Sequence, residues 1–377
     1  MIKKVLLLVC VTGLLLAGAG VPGAAAGDTI KIALVAPFTG LGSILGDYIK
    51  GGLMLAVDEI NAAGGVRGRK FEVNVYDDAA SPANAINVVK KAILNDKVSV
   101  VFGPNMSNCV LAVHKVAWDN KVLMLVGATS PSFRYTKVGN PWLFRLRADD
   151  DVKVTNQVKF AVDKLKVQRP GVIYGSTDYC LSAKEVLERE FKNRGIEVVA
   201  AEQIKEGEKD ATGQLLKLKR ANVDSIMGLT HEPEAAVVVR QIRQLGLDVP
   251  IVGFSAWGVP AFTDLAGSAA AGVVSVQGFT PEDPSPVVQE FVKKYKAKYG
   301  KLPSDPAQAY YDGVRLLAHV MEQVGFEPEA VRAGLEKVKD FSGLQGNLTC
   351  DEHHNFTSFS LVSKFLGDRW EILEAMK

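Results

Sequence analysis

Val98-Ser-Val-Val-Phe-Gly-Pro-Asn-Met-Ser-Asn108 is the stretch that decides the fold. Val98, Val100, Val101 and Phe102 are β-branched or aromatic, and the run stops at Gly103-Pro104, a strong turn signal. Ser107 and Asn108 are good helix N-caps, and the spacing after them predicts a helix from Asn108 to Asp119. The stretch thus reads as buried strand, short polar loop, helix. Such a loop offers a hydroxyl and unpaired backbone N–H groups at the positive end of a helix, a seat for a carboxylate or other anion. The next strand, Val122 to Val126, ends in a similar loop, Gly127-Ala-Thr-Ser-Pro131. Serine and asparagine at a helix start are most often plain caps. It is the pairing of two such loops at neighbouring strand ends that points to one small-molecule site.

Upstream the same alternation holds. Thr29 to Ala36 reads as a strand, Gly46 to Ala63 as a helix ended by Gly64-Gly65, and Phe71 to Tyr76 as a strand. Ser81-Pro82 opens a helix, with proline at a favoured first position. Downstream, Asn140 to Arg147 is strand-like and leads out of this unit, and a helix runs from Asp150 to about Leu165. The pattern then restarts. Strands are expected at Gly171–Tyr174, Ile196–Ala200, Ser225–Leu229, Pro250–Val252 and Val273–Val276. Helices are expected at Ser182–Arg194, Ala211–Arg220, Glu234–Leu245 and Ala261–Ala266. Three further helices (286–299, 306–324 and 327–339) precede a tail of short strands with a polar turn at Asp351–Asn355.

Strands alternating with helices twice over call for two α/β domains with parallel sheets, whose ligand loops lie at the strand carboxyl ends. The chain is expected to cross between the two near 147, 277 and 351. One lobe then comprises 27–147 with 278–351, the other 148–277 with 352–377, and the cleft lies between them.

The 377 residues suffice for two domains, and 47% hydrophobic with 23% charged residues is the profile of a globular protein. Residues 1–26 stand apart. Lys3 and Lys4 precede the apolar run Val5 to Leu16, and Ala24-Ala25-Ala26 supplies small residues for cleavage, as in a secretory signal peptide. The mature protein is therefore expected to be exported and soluble. Without Lys3 and Lys4 the chain has 42 basic and 42 acidic residues, and no basic stripe points to nucleic acid. Cys109, Cys180 and Cys350 are widely spaced and odd in number, neither a disulfide framework nor a metal-ligand spacing.

Other motifs lead nowhere chemical. Gly40-Leu-Gly42-Ser-Ile-Leu-Gly46 nearly fits a dinucleotide fingerprint, but its last gap is one residue too long. His353 and His354 in Asp351-Glu-His-His354 are adjacent, so on a strand they face opposite ways. No serine has the Gly-x-Ser-x-Gly context of a nucleophile elbow. No catalytic residue, cofactor or metal is expected. In the second half, Asp178 and Tyr179 follow the first strand, His231 the third, and Ser255 and Trp257 the fourth. Aromatic and polar groups at these strand ends suit a ligand clamp.

The chain resembles the periplasmic substrate-binding proteins of ABC transporters of the branched-chain amino-acid (Leu/Ile/Val) type. The residues that carry the resemblance are Ile32-Ala-Leu-Val-Ala-Pro-Phe-Thr-Gly40, Gly64-Gly-Val-Arg-Gly-Arg-Lys70, Val75-Tyr-Asp-Asp78, Gly103-Pro104 with Ser107, Gly127-Ala-Thr129 and Asp178-Tyr179. The resemblance implies a two-lobed Venus-flytrap fold with a three-segment hinge. It implies a monomer that captures a small carboxylate-bearing ligand, a branched-chain amino acid or related acid, and delivers it to permease subunits without catalysis. It assigns the carboxylate to Ser107 and Thr129 and the closing tyrosine to Tyr179. Asn108, Gly127, Ala128, Asp178, His231, Ser255, Trp257 and Leu45 complete the expected pocket. The chain departs from the pattern in three ways. Leu45 stands where the family commonly carries tyrosine, and Ser255 where it carries the glutamate that pairs with the ligand's ammonium. Ala80 and Met106 stand near its usual disulfide. A buried ammonium without a charged partner is costly. Either Asp178, Asp47 or His231 takes part, or the ligand has no ammonium. The alternatives are an aromatic acid or amide, for which Trp257 and Phe133 would suit a ring, and a ligand sensor on the same fold.

Overall fold

The computed structural model describes residues 29–40, 42–357 and 359–376. The leader read at 1–26 lies outside the described residues. The first unit runs β1 (Ile30–Ala36), α1 (Gly46–Ala62), β2 (Phe71–Asp77), α2 (Pro82–Lys90), β3 (Val100–Phe102), α3 (Ser107–Asp119), β4 (Leu123–Val126), α4 (Tyr135–Val138) and β5 (Leu143–Arg145). Its strands form one parallel sheet in the order β2-β1-β3-β4-β5. Along β1, Ile32 and Leu34 enter the core shared with α1, while Ala33 and Val35 enter the core under α2 and α3. Helices on both faces explain why this strand is an unbroken apolar run.

The second unit runs α5 (Asp150–Asp163), β6 (Pro170–Tyr174), α6 (Asp178–Asn193), β7 (Ala200–Gln203), α7 (Thr212–Arg220), β8 (Ser225–Leu229), α8 (Glu232–Gln244), β9 (Ile251–Gly253), α9 (Pro260–Ala266) and β10 (Val274–Gln277). Its parallel strands repeat the order of the first unit, β7-β6-β8-β9-β10. The chain then returns. In this segment α10 (Pro286–Tyr299), α11 (Asp305–Val324), α12 (Pro328–Glu336) and a small sheet of β11 (Phe341–Gly343), β12 (Gly346–Cys350) and β13 (Phe356–Thr357) join the core of the first unit. Finally β14 (Ser360–Phe365) and β15 (Trp370–Met376) extend the second sheet antiparallel beyond β10.

Three differences from the sequence reading have local causes. The last crossing falls after Thr357, because Phe356 is buried in the first lobe's core and β13 pairs back onto β12. The strand expected at 196–200 is displaced to Ala200–Gln203, where it pairs with β6. Helix α6 begins at Asp178 rather than Ser182: the N–H of Leu181 already bonds the Thr177 carbonyl, and Asp178 puts an acid in the first turn. Among the described residues no helix is long and apolar enough to cross a membrane.

Candidate ligand-binding cleft

The carboxyl ends of both sheets line one cleft, and equivalent loops of the two lobes contribute to it. The first lobe supplies Leu45 after β1, Asn105, Met106 and Ser107 after β3, and Thr129 after β4. The second supplies Tyr179 after β6, His231 and Glu232 after β8, and Ser255 after β9. Leu45, Met106, Ala256, Val259 and Pro306 give the cleft its apolar lining.

The first-lobe wall is wired from behind. Gly103 has φ 100°, and a Cβ there would lie 1.9 Å from the Val35 carbonyl oxygen, so only glycine lets the loop turn away from β3. Ser107 opens α3 and is buried, and its Oγ accepts from the Ser130 N–H at 3.3 Å, tying the two seat loops together. The Thr129 hydroxyl donates to Asp150 Oδ2 at 3.0 Å, and the Asp150 N–H donates to the Thr129 carbonyl at 2.9 Å. Arg147 donates through Nε to the Gly127 carbonyl at 2.6 Å, and its Nη1 lies 3.1 Å from Asp305 Oδ2. Lys153 faces the same Asp305 oxygen at 3.9 Å. Burial pushes the Asp150 carboxyl up to about 6, and burial followed by the Arg147 charge pushes Lys153 down to about 8. Further along the hinge, Asp149 sits between Arg134 (2.5 Å) and Arg145 (2.9 Å). Burial works against its charge, yet the two guanidinium groups hold it down at about 2.

The second-lobe wall is different. Tyr179 stands in the first turn of α6, its ring stacked against His231 and Phe254 with centroids 5.0 and 4.5 Å away. His231 Nε2 lies 3.1 Å from Thr177 Oγ1, and burial pushes the imidazole down to about 4, so it is neutral at pH 7. Glu232 heads α8 and is 2% exposed. Its Oε2 and the Ser255 Oγ are buried without a hydrogen-bond partner among the described residues. Burial pushes the Glu232 carboxyl up to about 7. The lobes touch where α3 meets α6, and Ser132 Oγ donates to Asp178 Oδ1 across the cleft rim at 3.1 Å.

Of the residues expected at the site, the cavity gathers Leu45, Ser107, Thr129, Tyr179, His231 and Ser255. The others are elsewhere. Asn108 turns its Oδ1 back to the N–H of Cys109 at 3.0 Å. Gly127 and Ala128 lie behind the wall: the Gly127 N–H donates to the Tyr310 hydroxyl at 3.3 Å, and Ala128 is in the core. Asp178 is the rim partner of Ser132, and Asp47 is exposed on α1. Trp257 points into the second-lobe core, over Gly228 and Gly253, where an added Cβ would come within 2.3 Å of its side chain. Phe133 is buried under the Arg145 guanidinium, 4.3 Å from the ring centre. Neither ring lines the cavity. Sequence reasoning missed Asn105, Met106, Arg147 and Glu232. Glu232 was within reach, directly after His231 at the end of a buried strand.

Cys109, Cys180 and Cys350 are all unpaired. His354 is stacked against Tyr135 and Phe144, and His353 lies 2.8 Å from the Thr136 hydroxyl. Among the described residues no group of His, Cys, Asp and Glu is arranged to hold a metal ion.

A family model for periplasmic binding proteins matches residues 29–363. The chain belongs to that family. A periplasmic binding protein of this kind is a non-enzymatic, ligand-binding component of an ABC transporter and works outside the cytoplasm. It is 30% identical over 343 residues to a leucine-, isoleucine-, valine-, threonine- and alanine-binding protein of Pseudomonas aeruginosa, covering 89% of this chain and 90% of that one. Its fold superposes on a leucine-binding protein of Thermotoga maritima with a TM-score of 0.85 at 26% identity, over 93% and 99% of the two chains. A branched-chain amino-acid transporter substrate-binding protein of Streptococcus pneumoniae, solved with isoleucine, gives a TM-score of 0.84 at 29% identity, over 92% and 99%.

Proposed function

We propose that this periplasmic binding protein captures a small carboxylate-bearing ligand between its lobes and delivers it, as an exported monomer freed of its leader near Ala26, to the permease of an ABC importer. The observation that carries this reading is the seat itself: the buried Ser107 and Thr129 meet at the N-terminal end of α3. That end favours negative charge; a carboxylate can take the Ser107 hydroxyl there, and the Thr129 hydroxyl once it turns from Asp150 to the ligand. Tyr179 closes from the other lobe. Contacts to both walls exist only when the lobes are together, so the ligand shifts the population toward closure. The relatives named for leucine and the isoleucine complex favour an aliphatic α-amino acid, and Leu45, Met106 and Val259 offer apolar lining for its side chain. With Trp257 and Phe133 turned away, an aromatic acid finds only the Tyr179 ring and the His231 imidazole among the described cavity residues.

Titration calorimetry with L-leucine, L-isoleucine, L-alanine and benzoate tests the reading. At least one of these acids should bind, and the amide of that acid should bind at least roughly tenfold more weakly. An amide that binds as tightly as its acid overturns the carboxylate seat.

A further inference from the structure

The seat accounts for one end of the ligand, and the facing wall says what the other end carries. Glu232 and Ser255 reach the cavity from the neighbouring loops after β8 and β9. Glu232 Oε2 and Ser255 Oγ are both buried and lack hydrogen-bond partners among the described residues. A carboxylate held out of water without a partner is costly, so a cleft that keeps one is built around a cation that arrives with the ligand.

The protein supplies no such cation itself. Arg147 faces the same cavity, but its guanidinium is engaged with Asp305 and the Gly127 carbonyl. His231, next in sequence, is neutral, and Lys153 sits behind the first-lobe wall beside Asp305. We infer that Glu232, assisted by Ser255, receives the ammonium group of an α-amino acid whose carboxylate occupies the Ser107–Thr129 seat. This inference rests on the carboxylate reading above and narrows it, from acids in general to zwitterions. A primary ammonium carries three donors, enough to serve both orphan oxygens. The acid that the family resemblance places at Ser255 has in effect moved to the preceding loop, and the serine left behind is short enough to leave room for it. The walls then match the ligand's dipole, with hydroxyls and helix end on one side and a carboxylate on the other.

The test compares an amino acid with its desamino twin, L-leucine with 4-methylpentanoate, together with L-isoleucine, L-alanine and L-threonine, on the mature chain. The wild-type protein should prefer an α-amino acid to its twin by roughly 10- to 100-fold. Glu232→Gln should weaken the amino acid by a similar factor, leave the plain acid within about threefold, and so erase the preference. Glu232→Asp, which keeps the charge, should restore part of it. Thermal melting of each variant separates a folding defect from a binding one. A Glu232→Gln variant that melts no lower than wild type and binds the amino acid as tightly overturns the inference and leaves the carboxylate seat standing. So does a wild-type protein that prefers the plain acid. Binding of neither class overturns both readings.

Discussion

The two walls of the cleft come from lobes with the same strand order, and from the same loops of that order, yet they are finished in opposite ways. Behind the first-lobe wall the hinge and the start of α5 bring opposite charges together, although Asn105 Oδ1, Asp150 Oδ1 and Lys153 Nζ keep no hydrogen-bond partner among the described residues. Asp150 takes the Thr129 hydroxyl, Arg147 meets Asp305, and Asp149 lies between two arginines. On the second-lobe wall Glu232 Oε2 and Ser255 Oγ have none among the described residues. The contrast teaches that a common topology fixes where a site lies but not what it recognises. One wall holds its shape through internal pairs, and the other gains its pairs through the ligand. Damage to the first should therefore appear as lost stability, and damage to the second as altered selectivity.

The largest effect should come from Asp305→Ala, which leaves Arg147 and Lys153 buried without their shared counter-ion. A loss of about 3–5 kcal/mol in unfolding free energy by urea titration is expected. An unchanged midpoint would erase the distinction between the walls. The next effect has the opposite sign. The folded-state pKa of Glu232 is raised from its ordinary 4.5 to about 7 by burial, so between those values the folded chain keeps a proton that the unfolded chain has released. Stability contributed by this group therefore falls as pH rises through that window and is flat on either side. Glu232→Gln removes the slope and should stabilise the ligand-free protein by up to about 3 kcal/mol at pH 8, with no gain near pH 4. Melting curves at the two pH values decide it. Asp150, the neutral His231, Glu234, Tyr179 and Arg147, which interact electrostatically with this wall, are common to both proteins and cancel in the comparison.

Third, Thr129→Val should weaken an amino acid and its plain-acid twin alike, by about 1–3 kcal/mol, since it acts on the end they share. A selective loss of only one of them would contradict the division of labour between the walls. The smallest effect belongs to the rim. Ser132→Ala removes the hydrogen bond to Asp178 and should lower affinity for every bound probe by about 0.5–1.5 kcal/mol without shifting the melting point by more than a few degrees.

Most of the fold was legible because its signals are local. The apolar runs of β1, β3 and β4, the glycines past helix ends and the change of period between strand and helix all lie within short windows. The second-lobe strand at Ala200–Gln203 was misplaced because Val198 and Val199 look more strand-like than the Ala-Ala-Glu-Gln that pairs with β6. For the site, position along the chain showed which loops meet but not which way each side chain points. Ser255 and Trp257 are two residues apart on one short turn. Only Gly228 and Gly253, which leave space for an indole, determine that the tryptophan goes inward. Glu232 was hidden by its own normality, since an acidic residue at the start of a helix is commonplace and usually solvated. Its isolation is a property of the assembled cleft, where Tyr179, His231 and the facing lobe exclude water. Arg147 was similarly obscure, because its partner Asp305 lies more than 150 residues away along the chain.

The path of the chain also has a kinetic consequence. Strand β10 ends at Gln277, but its antiparallel neighbour β14 begins only at Ser360, after the excursion that completes the first lobe. The second sheet cannot be finished until that excursion is over, and its last pairings are among the least local in the molecule. Non-local pairings form late and slowly. The first lobe in turn takes α11 against α1 from chain that has already passed through the second. Neither lobe is a separate bead that folds as it is made. Each is closed by chain that has first visited the other, which ties the completion of one lobe to the placement of the other.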